Sequence, residues 1–178
     1  MSDLQPIIET KHLLLIQLNL EFLETSVANQ DNATHLVNFA VPPYWFNEKE
    51  LISIRASQIK EHQHLASWLL RAIVRRSDNQ MIGHINAHGK PGMTHLKSYC
   101  EYGIEIGYTI YEPYKRRGYA SEAILGFVDS IPKPVSVVLS IGIENNPSLQ
   151  LARKLGYQRV GQVVEDGETE FVHLKRFV

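Results

Sequence analysis

Six consecutive residues, Lys115-Arg116-Arg117-Gly118-Tyr119-Ala120, carry the clearest chemistry in this chain of 178 residues. They follow a strand-like run and precede a helix-like one. Strand, short basic Gly-containing loop and helix together make a phosphate-binding device, because unpaired backbone N–H groups and the positive end of the helix dipole face the anion. Gly118 allows close approach of the backbone, Lys115, Arg116 and Arg117 add charge, and Ala120 keeps the first helical turn narrow. The loop has neither the Gly-x-x-x-x-Gly-Lys-[Ser/Thr] of a P-loop nor the Gly-x-Gly-x-x-Gly of a dinucleotide fold, so nucleotide hydrolysis is disfavoured. Taken alone, three basic residues before a helix are more often a solvated surface than a ligand site, and their setting has to decide.

That setting is an alternation of strands and helices. His12 to Leu18 reads as a strand, and Asn19 caps a helix through Glu21, Phe22 and Leu23. After the Pro42-Pro43 break, Asn47 with Glu50 has the spacing of a capping box, leading a helix of about three turns. Ser67 to Arg75 and Met81 to Ala87 form a hairpin across Arg76 to Gln80, and the run from Lys90 to Lys97 is a surface loop. Tyr102, Ile104, Ile106, Tyr108 and Ile110 alternate with Gly103, Glu105, Gly107 and Thr109 along one strand. Ala120, Ile124, Phe127, Val128 and Ile131 follow helical spacing up to Pro132, and Val135 to Ile143 alternates again. Asn146 caps a short helix with Pro147 at its first position and Gly156 at its end. Tyr157 to Val164 and Glu168 to Leu174 pair across Glu165-Asp166-Gly167. The order predicts a single α/β (α+β) domain over residues 1–178.

The loop and its surroundings resemble the GCN5-related N-acetyltransferase (GNAT) superfamily, and within it the branch that includes the ribosomal-protein alanine N-acetyltransferases. The resemblance is strongest from Glu105 to Val160. The family's pyrophosphate loop, Gln/Arg-x-x-Gly-x-Gly/Ala, is matched by Lys115 to Ala120 with Lys in the first place. Glu105-Ile106-Gly107-Tyr108 precedes it and Ser121-Glu122-Ala123 follows it. A second motif stands as Asn145-Asn146-Pro147-Ser148 with Lys154-Leu155-Gly156-Tyr157. The resemblance implies acetyl-CoA as co-substrate, held by Tyr108, Ile110, Lys115, Arg116, Arg117, Gly118, Tyr119, Ala120, Ser121 and Asn145. It also implies a mixed, mainly antiparallel sheet flanked by helices and splayed between the Tyr102 to Tyr111 and Val135 to Ile143 strands, with the pantetheine arm in the gap. The backbone amide near Ile110 would hold the thioester carbonyl and stabilise developing oxyanion charge.

An amine nucleophile is mostly protonated at neutral pH, so transfer needs a base and a proton for the departing thiolate. Glu105 is the first choice as base, because its alternation places it opposite the apolar face beside Gly103 and Gly107, which are expected to leave room for a ligand. The other reading is a carboxylate that anchors a neighbouring loop. The Tyr that serves many family members as acid is replaced by Ala152. Ser148 matches a Ser that the branch sets against the thiol, and it reads equally well as a second cap residue. Asn145 is either a pantetheine ligand or a turn residue.

The remaining features bound the function by exclusion. His84 and His88, with His95 as a conceivable third ligand, lack the helical spacing or the Cys and carboxylate neighbours of a metal site, so no metal is expected. The lone Cys100 gives no disulfide framework and has no activating His nearby. With 18 Lys plus Arg against 19 Asp plus Glu, the net charge of −1 offers no general attraction to nucleic acid. The absence of a leader pattern or a long apolar run leads to a cytoplasmic expectation without membrane partner. The acceptor is expected to be a small-molecule amine or a protein N-terminus, selected by residues 32–55 and 87–101. The final hairpin could supply the edge of a homodimer. A non-catalytic CoA-binding module is the alternative, supported by Ala152.

Overall fold

Elements form where apolar periodicity and capping residues coincide. A computed structural model describes residues 4–93, 97–165 and 167–178. Its strands are β1 (Ile7–Glu9), β2 (Leu13–Gln17), β3 (Leu70–Arg75), β4 (Gln80–Ala87), β5 (Gly103–Ile110), β6 (Val135–Gly142), β7 (Gln158–Glu165) and β8 (Glu168–Phe177). Its helices are α1 (Leu20–Ala28), α2 (Gln30–Thr34), α3 (Lys49–Glu61), α4 (Tyr119–Asp129) and α5 (Asn146–Lys154). Every described strand pair is antiparallel except β5 with β6, which gives the mixed, mainly antiparallel α/β architecture expected. His95 and Asp166, on which a third ligand and a hairpin turn were placed, lie outside the described residues.

The chain divides into two compact units, Met1–Asn86 with Tyr108–Ser130, and Ala87–Gly107 with Ile131–Val178. The boundary falls inside β4 and β5, so each of these strands contributes to both.

In the first unit β1, β2, β3 and β4 pair in sequence order. Asn19 caps α1 as its sequence position predicts, its side chain accepting the Phe22 N–H at 2.8 Å. Apolar residues of α1, α3, β2 and β3 meet in one core around Trp45, Phe22, Ile52 and Leu70, all fully buried. The capping box at Asn47 is not formed. Asn47 is used up in a 3-10 turn over Pro43–Asn47, and Glu48 occupies the cap position of α3 without a side-chain bond. Two short elements without apolar periodicity, β1 and α2, are additions to the sequence reading. Gly83 on β4 lies so close to the end of β5 that a Cβ there would stand 2.0 Å from the Thr109 carbonyl oxygen.

In the second unit β6 lies between β5 and β8, and β7 closes the edge beside β8. The parallel register of β5 with β6 runs only from Gly103↔Ser136 to Glu105↔Val138. β6 meanwhile stays paired with β8 along its whole length. This early end of the β5–β6 ladder is the divergence that the motif order implied. Val138 and Val172 centre a smaller core with Tyr99, Cys100, Val163 and Leu174 around it.

Candidate functional site

In the first unit β5 ends at Ile110, which is buried, and a 3-10 turn over Glu112–Tyr114 carries the chain to the basic loop. Two residues of that loop take left-handed backbone, Arg116 at φ 61° and Gly118 at φ 84°. A left-handed non-glycine residue costs of order 1–3 kcal/mol and persists only where its surroundings impose it. Gly118 is the N-cap of α4 and has no side chain with which to cap it, so the first-turn N–H groups are left for an external acceptor. Nothing lies within 4 Å of the position a Gly118 Cβ would take. The space is open to a ligand and closed to side chains only by backbone conformation.

Arg116 and Arg117 are exposed, while Lys115 is paired with Glu112 at 2.5 Å, which leaves the two arginines as the stronger attraction for an anion. Arg75, which the sequence reading did not connect with the loop, stands over the Tyr114 ring at 5.1 Å. Its guanidinium also donates to Asp78, with Nε 2.9 Å from Oδ1. No local pattern could have revealed this contact, because it spans some forty residues of chain. An open groove of about 680 Å³ runs beside Gly118 and Ser121, floored by Leu125 and Gly126 and bounded by Ile8 and Thr10. The helix behind the loop is fixed by Glu122. Its carboxylate accepts from the Thr10 hydroxyl and the His12 N–H, both at 2.6 Å, and lies 2.8 Å from His12 Nδ1. Partial burial pushes the Glu122 carboxyl up, but these three donors outweigh it and hold the group below the usual carboxylate range. Glu122 thus has the structural role that its sequence position left open.

In the second unit Glu105 is almost wholly buried, at 2% exposure. Ser140 Oγ donates to Oε1 at 2.7 Å, His88 Nδ1 lies 3.5 Å from Oε2, and the His88 N–H donates to the Glu105 carbonyl at 2.9 Å. His88 is 36% exposed by side chain and so stands between this buried carboxylate and solvent. The room foreseen beside Gly103 is absent, because a Cβ there would meet Cys100 Sγ at 2.8 Å and the Ser136 carbonyl oxygen at 3.2 Å. The strand is buried on both faces at this point, with Ile104 and Ile106 on the other side. Glu170 is a second carboxyl of this unit with a perturbed proton affinity, pushed up by burial and by Glu165 and Glu105. Only tertiary structure brings Ser140, His88 and Glu170 into the surroundings of Glu105.

At the start of α5 the cap is Asn145, not Asn146. Asn145 keeps non-helical backbone and its Oδ1 accepts the Ser148 N–H at 3.3 Å, whereas Asn146 is already helical and Pro147 follows it inside the first turn. Ser148 is therefore not a cap, and its hydroxyl is half-buried in that first turn. Ala152 is fully buried and puts no acid at the position where many relatives carry Tyr. Glu105 and Ser148 stand on different elements with separate partners.

His84 and His88 have different surroundings and do not share a ligand set. His84 is buried among Trp45 and Tyr111 with Nε2 3.6 Å from Glu48 Oε1, while His88 faces Glu105. Among the described residues no three His, Cys, Asp or Glu side chains group as a metal site, and no helix is long and apolar enough to cross a membrane.

Comparison with known proteins agrees with this geometry. None of the curated proteins matches the chain. Solved structures of the same fold include the ribosomal-protein-S5-alanine acetyltransferase from Vibrio fischeri, at 15% identity and a TM-score of 0.61 over 97% of each chain. Another is a GNAT-family acetyltransferase from Bacillus anthracis, at 17% identity and a TM-score of 0.57 over 96% of this chain and 98% of that one. A third is the microcin C7 self-immunity acetyltransferase MccE in complex with acetyl-CoA and AMP, at 14% identity and a TM-score of 0.60 over 94% of each chain. The model of the acetyltransferase (GNAT) domain matches residues 12–158, which include the basic loop, Glu105 and the Asn145 to Ser148 turn, and the chain belongs to that family.

Proposed function

We propose that this protein transfers an acetyl group from acetyl-CoA to a primary amine by direct attack in a ternary complex, with residues 1–178 acting as one catalytic domain. The observation that carries the reading is the loop. An uncapped helix N-terminus, a left-handed glycine with open space above it and two exposed arginines fit a pyrophosphate and have no other evident task. Lys115 to Ser121 would hold the pyrophosphate, Tyr108 and the Ile110 backbone would align the acyl arm, and Asn145 would contribute through whatever capacity its cap bond leaves. Acetyl-CoA supplies the activated acyl group.

The chain's own groups supply the proton traffic. Glu105 is the base in this reading, taking the amine proton through water, and His88 offers the exchange route between that buried carboxylate and solvent. Ser148, in the first turn of α5, assists departure of the thiolate. The solved fold relatives named as ribosomal-protein acetyltransferases support an amine acceptor, with a protein N-terminus or a small molecule as its source. The reading needs no metal, nucleic acid or membrane, sets the reaction in the cytoplasm and is compatible with a homodimer through the final hairpin.

The test is acetyl-CoA binding by calorimetry, together with thiol release across a panel of amine acceptors. Saturable binding and acceptor-dependent release are expected, and absence of binding would remove the reading. Buried Ala152 favours a second reading, a CoA-binding module without chemistry. That module would bind acetyl-CoA and release no thiol with any amine.

A further inference from the structure

On the side of β8 that meets α5, a small cavity of about 180 Å³ lies among Leu149, Arg153, Tyr157, Arg159, Phe171 and His173. One water needs only about 10–15 Å³ of such space, so a tetrahedral anion of five heavy atoms fits. Its polar lining is cationic. Arg153 makes no ion pair among the described residues, and Arg159 has only a neutral partner, Gln162 Oε1 at 3.4 Å, while its guanidinium stacks on the Phe171 ring at 3.3 Å. No carboxylate lines the cavity among the described residues.

His173 is the decisive member, because it is 7% exposed and has no acidic partner. Its Nδ1 lies 3.1 Å from the Phe171 carbonyl oxygen, which can only accept, so the neutral ring carries its proton on Nδ1 and leaves Nε2 as a bare lone pair. Protonation would turn Nε2 into a donor. Burial pushes the imidazole below its ordinary value, and Arg159 and Arg153 push in the same direction against the Phe171 hydrogen bond. Among the described residues the elements packed around the ring turn no carboxylate to it, since Glu168 and Glu170 of β8 alternate to the other face. α5 contributes Arg153, β7 contributes Arg159, the paired stretch of β6 has no charged side chain, and Lys175 on β8 is bound to the Leu155 carbonyl at 2.6 Å. Like charges gathered at a cavity without a counter-ion are unfavourable, and a bound anion reverses the sign of that interaction.

We infer that this cavity is a site for a small tetrahedral oxyanion, held between Arg153 and Arg159 with the His173 imidazolium as third donor. Binding draws a proton onto His173, so affinity falls as pH rises through the His173 titration of the complex. The site is separate from the cofactor loop and needs no acetyl transfer to be observed.

Calorimetry with sodium sulfate at constant ionic strength in chloride tests it, since sulfate itself does not titrate in this range. Saturable one-to-one binding is expected, tightening about tenfold from about pH 8 to about pH 5.5. Arg153→Gln should weaken it about tenfold or more, and His173→Gln should leave weaker binding with a flat pH profile. The His173 ring resonances should titrate at higher pH with sulfate than without. Circular dichroism checks each fold, and Arg153, exposed on α5, keeps the test decisive if Arg159 variants fail to fold. Methyl phosphate separates two sources of the same chemistry: binding as tight as sulfate marks the end group of a larger molecule, and exclusion marks a free anion. No sulfate binding beyond the chloride background, or an Arg153→Gln variant that binds as wild type does, would overturn the assignment.

Discussion

Gly118 and Glu105 carry the proposed chemistry in opposite ways, one by what it lacks and the other by what surrounds it. With φ at 84° and nothing near its Cβ position, Gly118 tolerates substitution sterically in the free protein but not conformationally. Gly118→Val should therefore distort the loop, fill the space a pyrophosphate would take and abolish acetyl-CoA binding by calorimetry, while far-UV circular dichroism stays unchanged. Affinity equal to wild type would show that the phosphates lie elsewhere. Glu105 was legible in the sequence as a carboxylate in a strand, yet its neighbours Ser140 and His88 are ones that no spacing connects to it. Glu105→Gln should keep acetyl-CoA affinity and lower turnover by ~10²–10⁴-fold at neutral pH. The loss should shrink as pH rises and more of the acceptor amine is already deprotonated. Wild-type turnover in this variant would assign Glu105 to the anchoring role that its hydrogen bonds also fit.

Helix α4 follows the candidate loop, and Glu122 is the residue that fixes its start. Three donors from the β1–β2 connection converge on its carboxylate, and Gly126 lets the helix approach so closely that a Cβ there would stand 2.4 Å from Thr10 Cγ2. Glu122→Ala removes the acceptor of the exposed His12 N–H and leaves the Thr10 hydroxyl only the Leu13 carbonyl at 3.2 Å, and it should destabilise the fold by about 1 kcal/mol in denaturant unfolding. It should also weaken acetyl-CoA binding indirectly, by loosening the helix start. The triplet containing Glu122 was visible as a motif, but the partners that give it a task lie more than a hundred residues away. Helix starts show the same division. Asn19 caps α1 as its local pattern predicts, whereas the box at Asn47 and the cap at Asn146 each fall one residue from the residue that starts the helix. Several side chains in these stretches suit a cap, and the backbone path decides among them.

Across the whole chain the net charge is nearly zero, so pH sensitivity depends on individual environments. Glu122, Glu48 and Asp78 all lie below their ordinary values. His84 holds the Glu48 carboxyl down against partial burial, and hydrogen bonding from Arg75 does the same for exposed Asp78. A depressed carboxyl gives stability that is full above its unfolded value, 4.5 for Glu and 3.8 for Asp, and is lost as pH falls through the folded value. His173, lowered from 6.5, acts in the same direction, because the unfolded chain binds its proton more readily below that pH. Glu170, raised by burial and neighbouring carboxylates, opposes them, since ionising it as pH rises costs stability. The melting temperature should therefore fall as pH drops below about 4.5 towards about 3, where the depressed carboxyls take up protons, and Glu170→Gln should raise it near pH 7 but not near pH 4. A flat melting profile, or a Glu170→Gln gain that persists in acid, would contradict these assignments. By itself the sequence determined the order of the principal strands and helices, the basic loop with its glycine and the family, because hydrophobic period, turn residues and short motifs are local properties of the chain. Tertiary structure alone decided which residues surround the candidate groups: Ser140 and His88 beside Glu105, the Thr10 and His12 donors on Glu122, and the Arg153, Arg159 and His173 cavity. Those sets join residues distant in sequence, and a side chain's charge state and freedom depend on the neighbours that folding brings to it.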